Sequence, residues 1–307
     1  MTQALITVVV PVRDRIGTID RCFRSIFAQG VDGLRVVAVD NGSADGSRAR
    51  LDELAAEGAT AGVPMTVIDE SKRGAAAARN AGIAQVFTPW VMHFDSDDYM
   101  LPGHVMRITA AIAANPEADI IGFPSYEEDG RGRRVVRRFV PDMVAQLHHS
   151  VLSTEQYAVR TELLRAAGGW DESLRAWDDL ELGVRLMLAA NRVVALPGAP
   201  TLVSDISTRT AGSITGSSYA AGVGRWEAAL DKIEARLAKT PWAIHARGIR
   251  AKLAALYARE GCSDLARRQL QAALSGLSRK QRTVITAAYQ TLRLTGHGAS
   301  LLMTRLL

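Results

Sequence analysis

The chain has 307 residues, 48% of them hydrophobic and 22% charged, which is enough apolar material for a sizeable core and too much for a wholly disordered protein. Its two cysteines, Cys22 and Cys262, are too few for a disulfide framework, so a secreted scaffold is set aside and a reducing, cytoplasmic setting is expected. Charge is unevenly spread: residues 219–307 carry 15 Lys and Arg against 5 Asp and Glu, a net of +10, while the residues before them sum to −5.

The first apolar run, Leu5–Val12, has no basic segment ahead of it and is far shorter than the roughly 20 residues of a membrane span. It reads as a strand covered on both faces. Ile19, Cys22, Phe23, Ile26 and Phe27 then repeat at helical spacing, with Gly30 placed to cap the helix. Leu34–Val39 is a second strand, closed by Asp40 and the turn Asn41-Gly42-Ser43, and a helix follows over about 45–56. Further strands are expected at Met65–Ile68, Trp90–Phe94 and Ile120–Phe123, with an Ala-rich helix over 75–86 and another opening at Pro102. This alternation of short β-rich runs and helices is the mark of parallel strands joined by crossovers. Residues 126–139, YEEDGRGRRVVRRF, read as a β-hairpin or an arginine-rich solvated loop. A turn and a helix from about Asp178 follow, and Val193–Leu196 returns to the sheet. Beyond the Gly/Ser/Thr-rich stretch 208–218 the strands vanish and the charge turns basic, so a boundary is placed at 218, with an α/β domain over 1–218 and a basic helical region over 219–307.

Open parallel sheets take their ligands at the strand ends, and carboxylates stand at two of them: Asp40, and Asp95 with Asp97 in FDSDDYMLP. On an extended backbone, residues two apart project to one side. Two convergent carboxylates call for a cation between them, and Mg²⁺ or Mn²⁺ carrying a nucleoside diphosphate is the physical solution. The alternative is an acidic turn capping the helix at Pro102, a role Asp98 could fill.

The ordered set VVVPVRDR, VVAVDNGSADGS, GAAAARNAGI, FDSDDY and GGWDESLRAWDDLELGVRL resembles the family 2 inverting glycosyltransferases of the GT-A fold, over roughly residues 5–196. The resemblance implies an α/β, Rossmann-like and mostly parallel central sheet flanked by helices, here with a C-terminal all-helical extension. It implies nucleotide binding by Pro11, Arg13, Asp40, Arg73, Arg79 and Asp95, a metal motif at Asp95 and Asp97, and a general base at Asp179 beside Asp178, which replaces the more usual glutamate. Trp170, Asp171 and Trp177 fall where the acceptor or sugar is met, and indole faces suit sugar rings. Gly168-Gly169 matches the turn before the acceptor site. A histidine common in relatives after the last strand is missing; Arg209 stands in SDISTRTAGSIT as a substitute partner for diphosphate. For Asp178 and Asp179 the competing role is helix capping, and for the tryptophans it is core packing.

The implied activity is transfer of one sugar from a nucleoside-diphosphate sugar, a UDP-sugar favoured, to an acceptor hydroxyl on a glycan, a lipid-linked molecule or a small molecule. Cell-surface polysaccharide, glycolipid or natural-product glycosylation is the expected setting. Gly222 precedes Arg225-Trp226 where processive synthases carry QxxRW, which favours addition of a single sugar. No GxGxxG follows the first strand and no GxxxxGK[ST] occurs, which sets aside dinucleotide oxidoreductases and P-loop ATPases. A non-catalytic carbohydrate or membrane-surface module and a nucleotidyltransferase remain as alternatives. The adjacent His148 and His149 diverge in an extended segment and make a poor metal pair. The basic tail suits a phosphate-rich partner, or is a solvated surface; with no nucleic acid expected, it either lies on the inner membrane face or packs on the protein or on a second copy in a homodimer.

Overall fold

The computed structural model describes residues 5–208, 219 and 222–306. It divides into two compact units. The first comprises Met1–Pro141, Val151–Glu172 and Arg185–Thr208, and the second Asp142–Ser150, Ser173–Val184 and Arg209–Leu307. The helical unit thus takes in two segments upstream of residue 218, one before and one after a stretch of the α/β unit.

In the first unit, β1 (Ile6–Val12), β2 (Leu34–Asp40), β3 (Met65–Asp69), β4 (Trp90–His93), β6 (Ile120–Gly122), β9 (Tyr157–Arg160) and β10 (Val193–Ala195) form one sheet in the order β10-β6-β9-β4-β1-β2-β3. The pairs β1–β2, β1–β4, β2–β3 and β6–β10 are parallel. β9 runs antiparallel to both β4 and β6. That strand was not expected, because a four-residue YAVR run is too short to show a period. β1 is apolar but for Thr7, which pairs with Thr88, because both faces are covered: α1 (Ile19–Phe27) turns Ile19, Cys22, Phe23, Ile26 and Phe27 inward. α2 (Ser47–Thr60) adds Leu51 and Leu54, and α3 (Ala75–Ala84) lies close on the sheet because its buried residues are mostly small.

A second sheet has the order β5-β11-β7-β8, from β5 (Tyr99–Met100), β7 (Ser125–Glu128), β8 (Arg134–Arg137) and β11 (Leu202–Asp205). The arginine-rich segment is therefore a hairpin, and its charges are matched internally: Arg134 meets Glu128 at 2.6 Å and Arg137 meets Glu127 at 3.2 Å. α4 (His104–Ala114) begins two residues after Pro102, with Gly103 at its cap. α6 (Thr161–Ala166) and α7 (Asp178–Ala189) complete the helices ahead of residue 208, apart from α5.

The second unit contains α5 (Met143–His149), α8 (Arg225–Leu237), α9 (Ala243–Arg259), α10 (Ser263–Leu274), α11 (Arg279–Thr295) and α12 (Ala299–Leu306). Ala251, Ala254, Ala255, Ala273, Ile285 and Tyr289 form the core between α9, α10 and α11. The apolar face of α11 is thereby spent on packing.

His93 on β4 and His104 on α4 are fully buried. Burial first, and then Arg79 and Arg107 respectively, hold each ring neutral, with its pKa lowered to about 3. An unfolded imidazole binds its proton near pH 6.5. The stability each contributes is therefore complete above that pH and is lost as pH falls towards 3. Removing His104 should abolish about 2 kcal/mol of the stability lost between pH 7 and 5. Thermal melts of His104→Gln and the parent at both pH values check this; the variant's melting temperature should depend less on pH.

Candidate active site

The candidate site begins where the central sheet parts. β1 and β2 stay paired to Val12↔Asp40, but β1 and β4 separate after Val9↔His93. The strand order of the sheet places β2 and β3 on one side of β1 and β4 on the other, so the C-terminal ends of β1 and β4 form the switch point at which open sheets of this kind take their ligands, the β1–β4 crevice. Pro11, which has no N–H to offer, falls in the stretch of β1 that has left β4.

The loops after β1 and β2 are laced together. Asp14 Oδ1 accepts from the Ala44 N–H at 2.7 Å, and the Arg15 and Ile16 N–H groups donate to Ser47 Oγ and Asp45 Oδ2. Asp14 takes a left-handed conformation, φ 51°, which costs a non-glycine residue about 1 kcal/mol or more. Asp40 is 4% exposed. Its Oδ2 accepts from the Gly42 and Ser43 N–H groups, both at 3.1 Å, and its Oδ1 is buried with no partner. A buried carboxylate oxygen left without a donor is costly; at the C-terminal end of a parallel strand it is an acceptor suited to a ligand. Asn41 stitches the third loop to this pair: its amide donates to the Glu70 and Lys72 carbonyls and accepts from the Gly74 N–H, each at 2.8 Å. Arg13 and Arg73 are exposed on these loops.

The acidic segment after β4 is a tight turn, closed by the Asp98 N–H on the Asp95 carbonyl at 3.1 Å, and not the extended run expected. Ser and Asp favour such turns by competing for backbone hydrogen bonds. Asp95 and Asp97 consequently meet different cations: Asp95 accepts from Arg79 at 2.8 Å, and Asp97 lies 3.5 Å from Arg15. Nor does Asp98 cap α4; it is buried and accepts from the Asp205 N–H at 2.8 Å. Ligand oxygens of Asp95, Asp98 and Glu155 lie within 4.8 Å of one another. Burial, then Glu155 and Asp95, push the Asp98 carboxyl well up; burial and Asp95 raise Glu155, which accepts from Ser204 Oγ at 2.8 Å. An oxygen-only, acid-rich turn of this kind suits a hard divalent cation.

Arg79 is 6% exposed, and its guanidinium stacks 4.3 Å from the centre of the Trp170 ring. Trp170 is itself 2% exposed, with its N–H on His93 at 3.2 Å. It is a pillar behind the acidic turn, and that burial removes its faces from contact with a sugar. Asn80 accepts from the Trp170 backbone N–H, and Gly169, at φ 65°, passes so close to Asn80 that a Cβ there would sit 2.7 Å from the amide oxygen. Asp171 is half-buried beside Glu172, which meets Lys72 at 2.5 Å.

In the helical unit, Trp177 precedes α7 with φ 53° and accepts from the Glu181 N–H. Its ring lies against Trp226, centres 5.1 Å apart. Asp178 and Asp179 follow in the first turn, where negative charge suits the helix dipole, and both are half-buried. Asp179 accepts from Ser150 Oγ at 3.2 Å. Arg209 lies outside the described residues. Asn41, Arg15 and Glu155 escaped the sequence reading; Asn41 sits in a turn whose neighbour drew attention, while Glu155 carries no local signal.

A family profile, "Glycosyl transferase family 2", matches residues 7–170. The chain belongs to glycosyl transferase family 2. Relatives include an uncharacterized glycosyltransferase, EpsJ, of Bacillus subtilis, 26% identical over 62% of this chain and 58% of its own length. The pre-mycofactocin glycosyltransferase of Mycobacterium tuberculosis is 31% identical over 61% of this chain and 40% of its own. The chain thus spans from about two fifths to under three fifths of these relatives. Among solved structures, S. aureus TarS 1–349 in complex with UDP-GlcNAc superposes with a TM-score of 0.68 at 18% identity, covering 95% of this chain and 91% of that one. The mannosyltransferase PcManGT of Pyrobaculum calidifontis, in complex with GDP-Man and Mn²⁺, gives 0.59 at 19% identity, covering 99% and 87%. These likenesses show the GT-A fold.

Within this family 2 chain, Asn41 is the tie that holds the loop before α3. Asn41→Ala should free that loop, at about 1 kcal/mol for each bond lost, and raise trypsin cleavage after Lys72 and Arg73 at least tenfold. Limited proteolysis followed by mass spectrometry measures it.

Proposed function

We propose that the protein is a metal-dependent, inverting glycosyltransferase that moves one sugar from a nucleoside-diphosphate sugar, a UDP-sugar favoured, to an acceptor hydroxyl on a glycan, a lipid-linked molecule or a small molecule. The observation that carries this is Asp40, whose buried Oδ1 has no partner at the C-terminal end of β2; an imide or ribose donor of a nucleotide would complete it. Pro11, Arg13 and Arg73 line or border the same loops. Asp97, with Asp95, would hold Mn²⁺ or Mg²⁺; in support, Asp98 and Glu155 bring ligand oxygens within 4.8 Å of Asp95, and burial together with the neighbouring carboxylates holds the Asp98 and Glu155 carboxyls up. When bound, such an ion neutralises charge on the departing diphosphate, as Arg209 would in part. Asp179 takes the proton of the acceptor hydroxyl as its oxygen bonds to the anomeric carbon, while the bond from that carbon to the diphosphate oxygen breaks on the opposite face. One displacement inverts the centre. Asp178 and the half-buried Trp177 flank the base in sequence, and with Asp171 they would meet the acceptor.

Nucleoside diphosphate release from UDP-, GDP- and dTDP-sugars with Mn²⁺ tests the reading, since a binding module releases none. Asp179→Asn should keep donor affinity and lower turnover by roughly 10²-fold or more. Asp97→Ala should lose the Mn²⁺-dependent part of donor binding in calorimetry; equal affinity with and without Mn²⁺ in both proteins contradicts the metal assignment.

We also propose peripheral contact with the inner membrane face through the basic side of the helical unit. No described helix is long and apolar enough to cross a membrane. Because α11 buries its apolar face, the contact rests on exposed Arg279, Lys280, Arg282 and Arg293. Attraction of about 1 kcal/mol per basic residue near an anionic surface predicts flotation with phosphatidylserine vesicles at low salt and its loss at high salt. No flotation at either removes this contact.

A further inference from the structure

Among the described residues three non-glycine positions have positive φ: Asp14, Ser150 and Trp177. Two of them, Ser150 and Trp177, belong to the same unit as Asp179, and one touches its carboxylate. Ser150 is the C-cap of α5, at φ 46° and ψ 59°, with its N–H on the Gln146 carbonyl at 2.9 Å. That position ordinarily goes to glycine or asparagine, because a Cβ is strained there. Serine brings a hydroxyl to it, and the hydroxyl donates to Asp179 Oδ2 at 3.2 Å. This is long for a hydroxyl–carboxylate bond.

The rest of α5 is built to hold that hydroxyl still. One turn earlier on the same face, Gln146 is fully buried and donates to the Leu180 carbonyl at 3.3 Å. It packs so closely on Gly183 that any Cβ there would overlap its amide. Gln146 and Ser150 thus grip the first turn of α7 at two points four residues apart. Behind them, α5 is anchored to α9: His148 meets His245 at 3.1 Å, and the half-buried Lys252 donates its ammonium to the His148 carbonyl at 3.0 Å. Asp142 closes the other end of the helix by accepting from the Ala145 N–H. A seven-residue helix, too short to stand alone, is therefore tied at both ends and along one face.

We propose that Ser150 is a positioning residue for the general base: its hydroxyl, held on a strained cap, fixes the rotamer of the Asp179 carboxylate, with Gln146 fixing the register of α7 beneath it. This rests on the assignment of Asp179 as the base. Asp179 is half-buried and its Oδ1 also accepts from the Leu180 N–H at 2.8 Å; Ser150 adds a hold on Oδ2, and only rotamers aimed at the acceptor oxygen take up its proton.

Ser150→Gly tests it, because glycine relieves the backbone strain and removes only the donor. Turnover is read as nucleoside diphosphate release in the presence of Mn²⁺, from whichever of the UDP-, GDP- and dTDP-sugars reacts fastest, with water as acceptor. The expected result is a melting temperature held or raised, kcat lowered about tenfold, and KM for the sugar nucleotide unchanged. Ser150→Asn, which tolerates the same φ and keeps a donor, should recover most of kcat. In the Asp179→Asn background, Ser150→Gly should add no further loss, since it acts through the missing carboxylate. If Asp179→Asn is slow while Ser150→Gly turns over like the parent, the positioning role is overturned and the base stands. If Asp179→Asn itself turns over normally, the base assignment falls and this role with it.

Discussion

Arg79 lies buried beneath the turn that follows β4, its guanidinium against the Trp170 ring and one nitrogen on Asp95. Around that turn four carboxyl groups, of Asp95, Asp97, Asp98 and Glu155, crowd into little space, and burial makes their mutual repulsion expensive. Two of them respond by holding their protons more tightly. Arg79 supplies a fixed positive charge from below, and the side chains that hold it are committed in turn: Trp170 to His93, and the Trp170 backbone to Asn80. Through this one buried cation the end of β4, the helix α3 and the Gly168-Gly169 turn are joined into a single support. Removing a buried ion's partner leaves the other uncompensated, so the crowding of acids and the placement of Arg79 belong together.

The same economy governs the loops. Function is carried on connections held by a rigid sheet, and here the connections are tied to one another more than to the strands they leave. Asn41, Asp45, Ser47 and Asp14 bind the loops after β1 and β2 and before α3 into one piece. Strain appears where side chains must face a fixed direction: at Asp14 in the loop after β1, and at Ser150 and Trp177 beside the first turn of α7. Backbone strain of this kind persists only where surrounding contacts over-determine it, and those contacts are visible at each of the three.

The helical unit shows why a basic, apolar-patterned segment has two faces to account for. Ile285 and Tyr289 of α11 are consumed by α9 and α10, which answers the packing question for that face. Its charges were not consumed in the same way, since residues 265–307 contain no Asp or Glu. What meets those charges is a question of surface electrostatics, separate from the fold.

How much of this was legible beforehand depended on whether the signal was local. The strands β1 to β4 and the helices between them announce themselves by apolar runs, periodicity and turn residues, each within a dozen positions, and with them the order of motifs that marks the family. Asp40 and the FDSDDY turn could be placed at strand ends for the same reason. The antiparallel β9 could not, being four residues without a period, and the acidic segment was taken as extended because alternation says nothing about how a chain leaves a strand. The burial of Trp170 turned on Arg79 and His93, 91 and 77 positions away in sequence, and no spacing rule reaches that far. The amino-acid sequence by itself determined which segments become strands and helices, and which residue types stand at the strand ends, because hydrophobic period and turn chemistry act over a few residues. Tertiary structure alone decided which carboxylate meets which cation, which indole is hidden, and that Glu155 and Ser150 have a part to play, because burial and pairing are settled only when distant segments share one space.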